Sequence, residues 1–176
     1  VFRLIATTSF IGAEAIDAKT GAIAWRQPIQ WMFGGFAADA SGVYLFTPID
    51  PSGTMNVLAL DPETGNQVWE LPFKETIVSL TLIDGVIYLQ TDDDRIQAID
   101  PATTKLTWQS EAIDSPDRTG PDVEAIGFEG VRPVAAGNNL IFISLAGAIV
   151  ALDRQTGALQ WQIDGYQAES TRLTTF

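Results

Sequence analysis

The sequence predicts an all-β fold, a β-propeller of four-stranded antiparallel blades, and three observations predict it. A twelve-residue pattern occurs four times, as AIDAKTGAIAWR at 15–26, ALDPETGNQVWE at 59–70, AIDPATTKLTWQ at 98–109 and ALDRQTGALQWQ at 151–162. Its aspartates, Asp17, Asp61, Asp100 and Asp153, stand 44, 39 and 53 positions apart, near the roughly 40 to 50 residues that one propeller blade uses. No stretch carries sustained apolar periodicity at 3.6 residues, which rules out a solenoid of helices.

Each pattern reads as strand, turn, strand. In the first copy Ala15 and Ile16 end one strand, residues 17–21 turn, and Ile23 and Trp25 alternate along the next. Asp suits the opening position of a type I turn, and Pro62 and Pro101 suit the second because their φ is preset. Gly21, Gly65 and Gly157 suit the left-handed residue that ends the turn in a G1 bulge. Thr104 stands where the third copy should have Gly. Left-handed geometry there costs on the order of 1 kcal/mol, so a third turn that is rearranged or less stable is expected.

A second strand pair precedes copies two, three and four: FAAD with GVYLFT, VSLTLI with GVIYLQT, and RPVAAG with NLIFISL. Ser41-Gly42, Asp84-Gly85 and Asn138-Asn139 supply their turns. The blades are therefore expected at about 1–27, 34–70, 77–109 and 133–162, in a single propeller domain or a portion of one. Residues 1–27 hold only three strands, and 171–176 (TRLTTF) read as a lone strand that closes this blade or begins the next.

Length and composition set the outer limits. A chain of 176 residues with 46% hydrophobic content supports a real core. Its 22 acidic and 10 basic residues give a net charge of −12, which disfavours nucleic acid and anionic membrane surfaces as partners. No apolar run reaches the roughly 18 to 20 residues of a membrane span, and the N-terminal VFRLIATTSF lacks the layout of a signal peptide. The first residue is Val, so a mature form or a piece of something longer is expected. With no Cys and no His, thiolate nucleophiles, disulfides and the commonest general base are absent from this sequence.

The pattern A-(I/L)-D-x-x-T-(G)-x-x-x-W resembles the repeat of the PQQ-type, or quinoprotein-like, β-propellers, across nearly the whole chain. It is similar in particular to the propeller lipoprotein of the outer-membrane β-barrel assembly machinery. The resemblance implies that Trp25, Trp69, Trp108 and Trp161 pack on the Gly-containing turns and donate their indole N–H to an adjacent blade. It also implies a ring of seven or eight blades, which the rest of a longer chain or self-association would complete, and a location outside the cytoplasm, in the periplasm or cell envelope. A buried Trp does need one partner for its N–H.

An enzyme of this resemblance would hold its quinone between a Trp and a vicinal Cys–Cys disulfide, with Ca²⁺ held by Glu, Asn and Asp. This chain has no Cys, so no catalytic, cofactor-binding or metal-binding residue is assigned and no cofactor is expected. Asp17, Asp61, Asp100 and Asp153 read as turn residues. The carboxylates of TDDDR, at 91–95, lack the alternating ligands of a calcium loop and read as a solvated hairpin tip. Two features remain for recognition. Trp31, Met32 and Phe33 form an apolar run in a link between blades, beside Gly34 and Gly35; they either plug the central channel or start an inner strand, or are the candidate partner-binding residues. The acidic stretch 110–132 lengthens another link, with Ile113, Val123, Ile126 and Phe128 available to dock it, and reads equally as a recognition loop or as a mobile insertion. The expected function is a non-enzymatic scaffold that recognises a protein or peptide. The alternatives are a fragment of a quinone-dependent dehydrogenase and a ligand-sensing propeller domain of a larger receptor.

Overall fold

A computed structural model describes residues 1–29, 34–48, 55–113, 132–145 and 147–163. It holds fifteen described strands in four antiparallel sheets. The first sheet has three strands, β1 (Phe2–Ala6), β2 (Ile11–Ile16) and β3 (Ile23–Pro28). The second comprises β4 (Gly35–Ala38), β5 (Val43–Pro48), β6 (Met55–Leu60) and β7 (Gln67–Phe73), and the third β8 (Ile77–Ile83), β9 (Val86–Thr91), β10 (Ile96–Asp100) and β11 (Lys105–Gln109). The fourth is β12 (Val134–Ala136), β13 (Asn139–Ile143), β14 (Ile149–Asp153) and β15 (Leu159–Ile163). Every strand pairs with its sequence neighbour, so each sheet is a meander. The expected closing strand, 171–176, lies outside the described residues.

The chain divides into two compact units, Val1–Thr76 and Ile77–Phe176. In the first, Ala13, Ala15, Trp25 and Ile29 pack with Val43, Leu45 and Leu60. In the second, Tyr88, Ile96 and Ala98 pack with Leu140, Phe142, Val150 and Leu152, and Ile113 joins them at 5% exposure.

One row of side chains explains the invariable Ala of the pattern. Phe2, Ala15 and Trp25 stand opposite one another across the first sheet. Tyr44, Ala59 and Trp69 do so in the second, and Tyr88, Ala98 and Trp108 in the third. The middle methyl is small enough for the flanking rings to meet over it, with centroids 5.9, 5.8 and 5.8 Å apart. In the fourth sheet the row reads Ile141, Ala151, Trp161, so no second ring is present there. Just beyond the Ala, each sheet carries a β-bulge at the same place.

Three expectations require correction. The third turn is not rearranged. Thr104 adopts φ +58°, beside +72°, +74° and +74° at Gly21, Gly65 and Gly157, so the turn keeps its left-handed residue and accepts the strain. The 83–86 hairpin does turn through Asp84 and Gly85, both at positive φ, but the following one turns at Gly137 and Asn138, since Ala136 pairs with Asn139. Nor is TDDDR a wholly solvated tip. Asp94 is fully buried at φ +58°, while Asp93 faces outward to Arg95 at 2.7 Å.

Candidate functional site

The repeated turn is the most completely determined polar structure in the chain. Asp17 Oδ1 accepts hydrogen bonds from the Lys19 and Thr20 N–H groups, both 2.8 Å, and from the Thr20 hydroxyl at 3.0 Å. Asp61 is held alike by Glu63, Thr64 and the Thr64 hydroxyl, and Asp153 by Gln155, Thr156 and the Thr156 hydroxyl. Asp100 accepts from Ala102 N and from the Thr103 hydroxyl. These bonds favour the charged form. The Thr20 N–H chiefly lowers the pKa of Asp17, the Thr64 and Thr103 hydroxyls those of Asp61 and Asp100, and the Gln155 N–H that of Asp153. In three turns the same Thr oxygen also accepts the N–H two residues on, from Ala22, Asn66 and Ala158. The Thr of the pattern is thus a turn clamp, a role that its fixed spacing from Asp could have revealed.

Two of the tryptophans close on the turn of the next sheet. Trp25 Nε1 donates to the Pro62 carbonyl at 3.0 Å, and Trp108 Nε1 to the Arg154 carbonyl at 2.9 Å. In both cases the acceptor is the residue after the pattern's aspartate. A Cβ added at Gly65 would land on the Trp25 ring, and one at Gly157 on the Trp108 ring, so these glycines supply contact area as well as left-handed geometry. Trp69 stacks on Tyr44. Trp161 is 39% exposed, against 8% for Trp25.

Sequence reasoning missed two buried carboxylates. Glu14 is fully buried in the middle of the first sheet, directly opposite Arg3 and Arg26, whose guanidinium groups reach it at 2.7 and 2.5 Å while staying half exposed. The Arg3 hydrogen bond is the main cause of its lowered pKa, outweighing burial. Asp94 serves the other unit: it accepts the Leu145 N–H at 2.7 Å and the Gln90 amide at 3.3 Å, and Gln90 also donates to the Ile143 carbonyl at 3.0 Å. Only strand register, which pairs Glu14 with two arginines, could have exposed the first of these in advance.

Trp31, Met32 and Phe33 lie outside the described residues, as do 114–131 of the long link with Val123, Ile126 and Phe128. Gly34 is described. A Cβ there would collide with the Phe46 ring, which is 1% exposed. Among the described residues no group of three or more His, Cys, Asp or Glu side chains could hold a metal ion, and no Cys exists for a vicinal disulfide.

Meandering sheets joined by Trp-on-turn contacts define the class: a β-propeller of PQQ-type repeats. The chain belongs to the family described as outer membrane protein assembly factor BamB, whose profile matches residues 12–174. Among solved structures, BamB from Moraxella catarrhalis superposes with a TM-score of 0.66 at 21% identity, covering 92% of this chain and 48% of that one. The computationally designed Ika8 protein gives 0.69 at 17% identity, over 98% and 52%. Both likenesses concern the fold. Among curated relatives, the quinoprotein alcohol dehydrogenase PedH of Pseudomonas putida is 32% identical over 122 residues, 66% of this chain and 19% of that protein. The chain therefore spans about a fifth of that relative's length. No helix among the described residues is long and apolar enough to cross a membrane.

Proposed function

We propose that this chain is a non-enzymatic propeller scaffold that recognises a protein or peptide, in an envelope or membrane-associated assembly outside the cytoplasm. The observation that carries this reading is the fate of the repeated acidic residues. All four aspartates accept N–H or hydroxyl hydrogen bonds from their own turns, so each has a structural role at the same place of the repeat. The family description, which names an assembly factor, supports the same reading. Recognition is assigned to Trp31, Met32 and Phe33, because large apolar and aromatic side chains dominate binding energy at interface centres.

Panning a peptide-display library against the full chain tests this assignment. Selected peptides should bind the parent chain and lose binding to Trp31→Ser/Phe33→Ser, whose circular dichroism and thermal midpoint stay unchanged. Equal binding by both chains would overturn the patch.

The identity shared with PedH favours a second reading, a portion of a quinone-dependent dehydrogenase. Titration with PQQ and Ca²⁺, followed by quinone absorbance and tryptophan quenching, separates the two. The scaffold reading expects no saturable binding.

A further inference from the structure

The hairpin between β9 and β10 carries a residue that its own backbone disfavours. Asp94 holds φ +58°, in the left-handed region that glycine prefers, and it is fully buried. The hairpin between β13 and β14 has the same build with glycine at that place. Asp94 N donates to the Thr91 carbonyl and Thr91 N to the Arg95 carbonyl, both at 3.0 Å. Gly147 N donates to the Ser144 carbonyl and Ser144 N to the Ala148 carbonyl, both at 2.8 Å, with φ +86° at Gly147. The turn therefore does not need the Asp94 side chain, since glycine makes it with less strain.

Asp94 instead meets three segments of its unit. Its Oδ1 accepts the Leu145 N–H, in the 144–148 hairpin, and the Gln90 amide, and Gln90 donates as well to the Ile143 carbonyl. Its backbone carbonyl accepts the Ile113 N–H at 3.3 Å. Ile113 belongs to the described root of the 110–132 link, and its side chain is buried in one core cluster with Leu140, Phe142 and Val150. The root is fixed a second time at Ser110, whose N–H donates to the Ile96 carbonyl at 2.9 Å while its Oγ accepts the Ile96 N–H at 3.0 Å. One residue thus holds the link root through its backbone and the hairpin of the adjoining sheet through its side chain. Both bonds are made away from water, where breaking either leaves a buried polar group without its partner.

We propose that Asp94 is a positioning residue that couples the root of the long link to the 144–148 hairpin, so that a change at Ile113 is felt at Leu145. By linkage a change at Leu145 is felt equally at Ile113. The left-handed well of a non-glycine residue is small, so Asp94 has little room to follow Ile113 with its carbonyl without swinging its carboxylate off the Leu145 N–H. The Trp108 contact ties the same two sheets through the Arg154 carbonyl and does not touch the link. Asp94 is the residue that brings the link into that pairing by hydrogen bonds at both ends.

Amide hydrogen exchange on the full chain, read residue by residue by NMR, tests the proposal. Asp94→Gly keeps the left-handed backbone and removes the carboxylate, so Leu145 should exchange at least about tenfold faster while the strand amides of β13 and β14 keep their protection. Ile113→Ala should speed Leu145 exchange several-fold in the parent chain and add nothing in the Asp94→Gly chain. Asp94→Asn tolerates the same φ and retains an acceptor oxygen, so it should restore both the Leu145 protection and its response to Ile113→Ala. Leu145 exchange unchanged by Asp94→Gly would overturn the proposal. So would an Ile113→Ala effect of equal size with and without the carboxylate, which would assign the coupling to core packing alone. If Asp94→Gly does not fold, the Asp94→Asn chain and the parent still decide, because Leu145 exchange indifferent to Ile113→Ala in both would leave no coupling.

Discussion

Trp108 and Trp161 occupy the same position of the same repeat, yet one is tied to the Arg154 carbonyl over Gly157 and the other is open by 39%. Their own sheets prepare them alike, with a bulge, an Ala opposite and an exposed apolar residue two positions before. The difference lies in the turn that covers Trp108, for which Trp161 has no counterpart among the described residues of its own unit. The pattern therefore encodes two half-joints at fixed spacing, and stability arises where the Trp of one repeat meets the turn of the next.

The largest effect should come from emptying a closed joint. Trp108→Ala removes a large apolar side chain and leaves the Arg154 carbonyl without its indole donor, so a loss of about 3–5 kcal/mol is expected in denaturant unfolding. Trp161→Ala should cost less than about 1 kcal/mol. Similar losses at the two sites would break the distinction between closed and open halves.

The glycines test the other half. Gly157→Ala must hold an unfavourable φ of +74° and press a methyl into the Trp108 ring. Backbone strain of about 1 kcal/mol plus overpacking of about 1–3 kcal/mol are expected. At Gly21, with φ +72° and open space around the Cβ, only the backbone contribution should appear. The difference between the two alanine variants measures the packing within a joint, and thermal midpoints suffice to read it.

Much of this was legible in the sequence, because the repeat is local. Turn chemistry, strand alternation and a fixed Trp were enough to place the sheets and the Asp-centred turns. What escaped depends on register or on partners distant in sequence. Glu14 looks like an ordinary alternating residue until Arg3 and Arg26 fall opposite it. Asp94 reads as one of three solvated carboxylates until the Leu145 N–H, 51 residues away, is found against it. The aromatic partner of each Trp was visible as Phe2, Tyr44 and Tyr88, but it has meaning only once the intervening Ala is known to bring the rings together. The third turn was misjudged because a propensity of about 1 kcal/mol was set against a whole hairpin, and the hairpin prevailed.

Acid should act on the turns regardless of whether a joint is closed. Asp17 in the open turn and Asp153 in the closed one both have pKa values lowered by turn donors. A carboxylate depressed in the folded state binds fewer protons there than in the unfolded chain. Its stabilisation is full above the ordinary carboxylate range near 4 and is lost as pH falls through the folded value. Unfolding midpoints should be flat above about pH 6 and decline from about pH 5 downward. Asp17→Asn and Asp153→Asn should each flatten that acid limb similarly. A change confined to Asp153→Asn would show that the clamp depends on the covering Trp.

The smallest effect concerns the one turn that departs from the pattern. Thr104 holds φ +58° without being glycine, although Thr103 still clamps Asp100 from the preceding position. Replacing it with Gly removes strain of about 1 kcal/mol, but frees the unfolded backbone and deletes the Thr104 hydroxyl bond to the Thr103 carbonyl. These contributions oppose each other, so Thr104→Gly should range from neutral to about 1 kcal/mol more stable by denaturant unfolding. Because the strain belongs to the turn itself, the gain should persist in a Trp161→Ala background, where the open half of the repeat has been removed. A clear loss of stability would mean that the Thr104 side chain holds this turn together, and that the left-handed residue is not interchangeable among the four repeats.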